Sequence, residues 1–447
     1  MTNLLSVPGP RSQALFSEET TYMAPGLQSI ALFSEIVVHK AEGVYVTDID
    51  GNTFIDINAG VAVGSVGHSH PHFVNIINDQ LRRAAFGSFC TENRVEFLRI
   101  LSSITPQGID KIQMYSGGAE AVEAALRLAK SVTKKYEFAG FWGGFHGKTG
   151  GVLPLLGDTS FKKDLGPHMP GLYLAGPYAY CYRCFFKMTY PDCGFACVEF
   201  FRESLKRQSS HQIAGILIEP LQGTAGNINP PKGYVQAIKD VAKEFNALLI
   251  ADEMITGFGR TGVMWGVDHD GVIPDIMTLG KGIGGGFPMS AIASNDKFTC
   301  AHPFSNPSGS SSSYGGNPLA SAAGRAALEI ILKENLVENS RRVGAFMKQK
   351  LQEFQERCSI IGDVRGQGLM IGLELVKDRK TKELLDKKLT RQLYHECLNR
   401  GLICMCYNPV VRINPPLIIT KDEAEKALEI MIESLRAIER QMNKEKG

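Results

Sequence analysis

The chain predicts an α/β fold built on a mostly parallel sheet, and two observations carry that expectation. Ile213-Ala-Gly-Ile-Leu-Ile218 and Ala247-Leu-Leu-Ile-Ala251 are short, continuously apolar segments. Strands without polar alternation belong to a sheet covered on both faces. Between them, residues 234–245 place Val235, Ile238, Val241, Ala242 and Phe245 at helical spacing. Strands alternating with amphipathic helices give a layered α/β domain.

The remaining elements follow in order. Residues 43–57 alternate apolar and polar side chains around Asp50-Gly51, a dipeptide suited to a tight hairpin turn. From about residue 60 to 330 the strand–helix alternation dominates. Within it, residues 121–130 read as a helix with Val122, Ala125, Leu126 and Ala129 on one face, and residues 138–141 and 275–279 as apolar strands. Residues 305–316, rich in Ser and Gly, read as a loop. Helix-forming sequence runs from about 320 to 354, Gly368-Leu-Met-Ile-Gly-Leu-Glu-Leu-Val376 reads as a strand, and residues 422–444 close the chain as a helix with Ala427, Ile430, Met431 and Leu435 on one face. The expected organisation is residues 1–59 as an N-terminal segment and part of a small domain, 60–330 as the large domain and 331–447 as the rest of the small domain.

The 447 residues are 44% hydrophobic and 21% charged, with a net charge of +2 and the two signs interspersed. That balance points to neither nucleic acid nor a membrane surface as a partner. No apolar run approaches the roughly 20 residues of a membrane span. The first residues lack a basic region followed by an apolar block, so no secretory signal is expected. With ten cysteines, this favours reduced thiols in the cytoplasm. Cys181, Cys184, Cys193 and Cys197 fall within one short stretch beside Tyr182, Phe185, Phe186 and Tyr190. Four thiols can form a tetrahedral metal site, but the spacing is not a common zinc pattern, and free thiols packed with aromatic rings are the favoured reading.

Chemistry concentrates where predicted strands end, the place where open α/β sheets bind ligands. Lys281 follows an apolar strand and precedes four glycines within five residues. Glycines let the backbone turn tightly and a flat ligand approach, and an amine so placed is suited to forming a Schiff base. Ser116-Gly117-Gly118-Ala119 opens a helix, where unpaired N–H groups and the helix dipole suit a phosphate. Phe145, followed by His146, lies on a glycine-flanked loop and can stack on a planar ring, or be a buried ring beside a hydrogen-bonded histidine. Glu219 and Asp252 each end an apolar strand, where a carboxylate needs a partner. Asp252 suits a protonated ring nitrogen. Arg412, in Val410-Val-Arg-Ile-Asn-Pro-Pro416, suits a bidentate carboxylate. A nicotinamide site is excluded because no acidic ribose partner stands at the expected strand end. The set matches pyridoxal 5′-phosphate with an amino-carboxylate substrate.

From Gly43 to about Thr420 the chain resembles the class III (ω-type) aminotransferases of the fold-type I pyridoxal-phosphate family, similar to the 4-aminobutyrate and ornithine aminotransferases. The motifs occur in the family's order: Gly67-His-Ser-His-Pro71, Ser116-Gly-Gly-Ala-Glu-Ala121, Phe145-His-Gly147, Glu219-Pro-Leu-Gln-Gly223, Asp252-Glu-Met-Ile-Thr-Gly-Phe-Gly-Arg-Thr-Gly262, Lys281, Tyr314-Gly-Gly-Asn-Pro318 and Arg412-Ile-Asn-Pro-Pro416. The resemblance implies that Lys281 holds the cofactor as a Schiff base and then shuttles the proton, and that Asp252 keeps the pyridine nitrogen protonated. It implies that Phe145 and Met254 cover the two ring faces, that Gly118 and Ala119 offer N–H groups to the phosphate, and that Glu219 is an orienting acid. Ser313 matches a hydroxyl that reaches the phosphate of the neighbouring subunit, which implies a homodimer with shared sites.

Three departures from the family pattern stand out. Ala119 replaces a residue that often bears a hydroxyl, and Ile255 stands where many members carry a glutamine that bonds the cofactor's phenolic oxygen. Thr224 replaces a glutamate that, in 4-aminobutyrate and ornithine aminotransferases, pairs with the arginine matching Arg412. The implied activity moves an amino group from an amine or ω-amino acid to a 2-oxo acid such as 2-oxoglutarate or pyruvate, and Thr224 implies either a preference for carboxylate-bearing substrates in both half-reactions or a different partner for Arg412. A racemase, decarboxylase or lyase of the same fold is the alternative, and a non-catalytic structural relative a remote one.

Overall fold

The computed structural model describes residues 4–446. The chain divides into two compact units, one formed by residues up to His70 together with those from Glu338 onward, the other by Pro71–Val337. Residues 60–70, read from sequence with the large domain, group with the smaller unit for a local reason. Gly43 and His68 exchange backbone hydrogen bonds at 2.9 and 2.8 Å, and the Leu417 amide donates to the Ser65 carbonyl at 2.7 Å.

In the smaller unit, β1 (Val38–Glu42), β2 (Tyr45–Asp48) and β3 (Thr53–Asp56) form the antiparallel meander that the alternating pattern implies. Tyr45 faces Ile55 across β2 and β3, and Gly51 at φ +91° turns the chain at the predicted Asp50-Gly51 site.

The larger unit is organised on seven strands: β4 (Lys111–Tyr115), β5 (Glu137–Phe141), β6 (Leu172–Gly176), β7 (Ile213–Ile218), β8 (Leu248–Asp252), β9 (Ile276–Leu279) and β10 (Ser290–Ser294). Their order across the sheet is β4-β10-β9-β8-β7-β5-β6. β6, β5, β7, β8 and β9 run parallel, and β10 is antiparallel to both neighbours. The helix Gly118–Thr133 lays Val122, Ala125, Leu126 and Ala129 into a core with Phe138, Leu217, Ile250, Ile276 and Ile292. Each large apolar side chain buried there contributes about 1.5–3 kcal/mol. The segment read as an amphipathic helix is the helix Tyr234–Glu244.

The rest of the smaller unit comprises β11 (Ile361–Gln367), β12 (Met370–Asp378), β13 (Glu383–Leu384), β14 (Leu402–Ile403) and β15 (Val410–Ile413), with the helix Lys421–Lys446 closing the chain. β14 pairs in parallel with β3. The strand read as 368–376 begins at Met370 because Gly368, at φ +53°, belongs to the turn from β11. Among the described residues no helix is long and apolar enough to cross a membrane.

Parallel order has a direct consequence for the site. Ile218 of β7 stands beside Ala251 of β8, and Asp252 beside Thr278 of β9. The residues that follow these strands therefore emerge at one edge of the sheet.

One backbone approach fixes the smaller unit tightly enough to test. A Cβ on Gly344, in the helix Leu336–Gln355, would lie 1.9 Å from the Gly368 carbonyl oxygen. Backbone cannot yield as a side chain does, so Gly344→Ala is expected to destabilise the fold by about 1–3 kcal/mol, or more. Urea unfolding of variant and parent measures it.

Candidate active site

Asp252 ends β8 and is 1% exposed. A carboxylate this deep must be paired or hydrogen-bonded, and three groups meet it. Its Oδ2 lies 2.6 Å from His146 Nδ1, and its Oδ1 accepts from the Thr278 hydroxyl at 3.0 Å and the Met254 amide at 3.1 Å. Thr278 was not among the sequence candidates. Its signal was a hydroxyl inside a buried apolar strand, and the strand pairing that gives it meaning is not local in sequence.

His146 is itself buried. Burial disfavours its charged form, but the hydrogen bond and charge of Asp252, with Glu219 adding, overcome this and raise the imidazole pKa; Lys281 acts in the opposite sense. The four groups therefore share one electrostatic neighbourhood. Of the two readings open for the segment 145–147, the hydrogen-bonded histidine is what the structure shows, while Phe145 beside it is half-buried.

Glu219 follows β7 and accepts from the Phe145 amide at 3.0 Å and the Gly223 amide at 2.9 Å. Burial pushes its carboxyl above the usual range; His146 and the two amides oppose the shift, and the charge of Asp252 adds to it. One carboxylate thus orients the loop bearing Phe145 and the turn leading to Thr224. Thr224 is exposed. Ile255 is buried and packs on Gly223, so this position carries no hydrogen-bonding group.

Lys281 begins a single 3-10 turn, Lys281–Gly284, just after β9. Its φ of +46° lies in the left-handed region, which costs a non-glycine residue about 1–2 kcal/mol. Before it, Gly280 passes so close to Met254 that a Cβ there would lie 2.3 Å from Sδ. The same sulfur would be 3.2 Å from a Cβ on Gly118. Met254 therefore stands between the lysine turn and the start of the helix Gly118–Thr133.

At that helix start, Glu120 already accepts the amides of Ser116 at 2.9 Å and Gly117 at 3.3 Å. The amides of Gly118 and Ala119 have no intrahelical acceptor. The Ser116 hydroxyl is buried without a hydrogen-bond partner among the described residues, and a Cβ on Gly117 would meet nothing within 4 Å. Two amides and a hydroxyl bordering open space make an anion cradle.

The structure thus gathers Ser116, Gly117, Gly118, Ala119, Phe145, His146, Glu219, Asp252, Met254 and Lys281 within the larger unit. Ser313 lies there too, exposed beside Tyr314, which is 72% exposed. Arg412 belongs to β15 of the smaller unit, where it faces Gly372 of β12 and its charge restrains the upward pKa shift that burial gives Tyr407.

The cysteine-rich stretch holds Cys181, Cys184, Cys193 and Cys197 as unpaired thiols among aromatic contacts such as Phe185–Phe186 and Tyr190–Phe195. Among the described residues no group of three or more His, Cys, Asp or Glu side chains is placed to hold a metal ion. Phe185 packs edge-on against Trp142 at 5.1 Å, and the nearby Tyr178 hydroxyl donates to the carbonyls of Glu219 and Pro220 at 3.0 and 2.8 Å.

The His146–Asp252 pair makes a signed prediction. A histidine whose pKa is raised on folding contributes stability that is fully present below its unfolded value of 6.5 and fades as pH rises through the folded value. His146→Gln is expected to cost about 3 kcal/mol at pH 6, and less at pH 9, measured by urea unfolding of the cofactor-free protein.

Residues 28–435 match the family model described as aminotransferase class-III. An acetylornithine aminotransferase from Methanothermobacter thermautotrophicus is 33% identical over 393 residues, 87% of this chain and 91% of that protein. An alanine/serine racemase from Pyrococcus horikoshii is 33% identical over 445 residues, 96% of this chain and 91% of its own. Among solved structures, an (S)-enantioselective omega-transaminase from Thermomicrobium roseum superposes with a TM-score of 0.88 at 31% identity, covering 95% of this chain and 98% of that one. The buried acid beside the lysine turn is thus set in a chain that belongs to the class-III aminotransferase family, a fold-type I enzyme whose cofactor is pyridoxal 5′-phosphate.

Proposed function

We propose that this enzyme transfers an amino group from an ω-amino acid or related amine to a 2-oxo acid such as 2-oxoglutarate or pyruvate, in two half-reactions at one site. The observation that carries the catalytic assignment is Asp252, buried and hydrogen-bonded to His146 and Thr278 at the strand edge from which Lys281 also emerges. The residues fit the cofactor: the orphaned Ser116 hydroxyl and the open space before Gly117 suit a phosphate, and the buried carboxylate suits a ring nitrogen.

When bound, pyridoxal phosphate supplies an aldehyde that takes up amines and a ring that accepts electrons from the carbon losing its proton. Lys281 Nζ would hold it covalently and, once freed by the substrate amine, would carry the proton between the amine-bearing carbon and the cofactor carbon two bonds away, C4′. Asp252 keeps the ring nitrogen protonated, and His146 holds Asp252 in the required orientation. Phe145 and Met254 bound the ring from its two faces. The Gly118 and Ala119 amides and the Ser116 hydroxyl receive the phosphate, joined by Ser313 from a second copy in a homodimer. A cytoplasmic setting is part of the proposal and is supported by the unpaired thiols.

Substrate choice is assigned to Thr224 and Arg412. Thr224 brings no charge to a position where the resemblance expects an acid. Arg412 is proposed to take a substrate carboxylate. Relatives named as racemases support a second reading in which the proton returns to the same carbon from the other side.

Lys281→Ala is expected to lower turnover by about 10²–10⁴-fold or more while circular dichroism shows an intact fold; near-normal rates would overturn the assignment. In a panel of 4-aminobutyrate, β-alanine, ornithine and simple amines, the carboxylate-bearing donors should lead. Faster turnover of amines without a carboxylate refutes the Thr224 argument, and racemisation of an amino acid without an added oxo acid selects the second reading.

A further inference from the structure

The loop of residues 143–151 contains five glycines, Gly143, Gly144, Gly147, Gly150 and Gly151. Glycine loses more backbone freedom on ordering than any other residue. A loop so composed holds Phe145 in place only if something else ties it down. Its first half is tied by contacts already described at Phe145 and His146, and by Gly143 and Gly144, which exchange backbone bonds with Gly157 at 3.3 and 2.8 Å.

Its second half is tied to a different element. Glu123 Oε1 accepts from the Thr149 hydroxyl and from the Gly151 amide, the latter at 3.1 Å. Gly151 lies so close that a Cβ there would fall 2.7 Å from the Glu123 carboxyl carbon. Glu123 belongs to the helix Gly118–Thr133, four residues after Ala119 and so on the same helical face. Ala119 itself meets the loop: a Cβ on Gly147, at φ +114°, would lie 2.3 Å from the Ala119 Cβ. The helix therefore grips residues 147–151 at two points on one face while its N-terminus forms the anion cradle.

We propose that Glu123 is a positioning residue for cofactor retention, clamping the loop that carries Phe145 to the helix that receives the phosphate. Because helix and loop are joined, filling the cradle and covering the ring become one event. Departure of the cofactor then requires both to loosen together. Glu123 touches neither cofactor nor substrate in this assignment. It acts through its acceptor oxygen, so a neutral amide that keeps Oε1 preserves the clamp, whereas a methyl removes it. The inference rests on the proposed placement of Phe145 over the ring.

The test uses holoenzyme in its pyridoxamine 5′-phosphate form, in which the cofactor is not covalently attached, and follows release on dilution by cofactor fluorescence. Glu123→Ala is expected to accelerate release at least 10-fold and to raise amide hydrogen exchange in residues 147–151. Glu123→Gln should stay within 3-fold of the parent. Thr149→Val, which removes one donor and leaves the helix untouched, should fall between them and serves if Glu123→Ala fails to fold. Phe145→Ala is the control for the underlying reading. Accelerated release from Phe145→Ala with unchanged release from Glu123→Ala and Thr149→Val overturns the clamp alone. Unchanged release from Phe145→Ala overturns the placement of that ring. A Glu123→Gln as fast as Glu123→Ala overturns the acceptor role.

Discussion

Everything at this site depends on satisfying the hydrogen bonds of one carboxylate in a place where water does not reach it. Moving an unpaired carboxylate into such surroundings costs several kcal/mol even after relaxation. The fold offsets that cost with an imidazole at 2.6 Å, a hydroxyl at 3.0 Å and an amide at 3.1 Å. Each comes from a different segment: the loop after β5, the strand β9 and the turn after β8. The set of partners around Asp252 is thus a property of the sheet order, because only parallel neighbours bring these segments to a common edge. Glu219, at the end of the next strand, shows the contrast. Among the described residues it makes no ion pair in direct contact, burial raises its pKa, and it accepts from two amides.

Close backbone approach is the second constraint, and it explains glycines that the chemistry alone does not. Gly280 and Gly118 leave room for the Met254 sulfur, and Gly147 for Ala119. These contacts place a methionine, a phenylalanine loop and a helix start within van der Waals reach of one another. The small side chain of Ala119, a departure from the family pattern, occupies a spot where the passing loop leaves little volume. Loss of a hydroxyl there is offset in kind by the orphaned Ser116 hydroxyl nearby.

Much of this was legible in the residues themselves. A period-2 pattern located the hairpin, continuous apolar runs located β7 and β8, and a period-3.6 pattern located the helix Tyr234–Glu244, because burial on one face or both leaves a local record. Lys281, Asp252 and Glu219 were legible because a charged residue at the end of an apolar strand has few innocent explanations. Thr278, Glu123 and the engagement of the Ser116 and Gly117 amides by Glu120 were not. Their importance lies in contacts between segments far apart in sequence, and a threonine in a strand or a glutamate on a helix surface carries no local mark of such a partner. The two readings of Phe145-His146-Gly147 stayed open for the same reason: the partner of His146 is 106 residues away.

Lys281 shows how these constraints act on one residue. An L-amino acid at φ +46° is strained, and strain persists only where the surroundings over-determine it. Here the fully buried strand β9 leads into the turn, Gly280 is pinned against Met254, and Gly282, Ile283 and Gly284 are buried beyond it. The lysine cannot relax without disturbing either the sheet or the sulfur that borders the cradle. A side chain proposed both to hold a ligand covalently and to move a proton needs its stem fixed and its tip mobile. Four methylenes give the tip its freedom; the strained, glycine-bounded turn denies any to the stem.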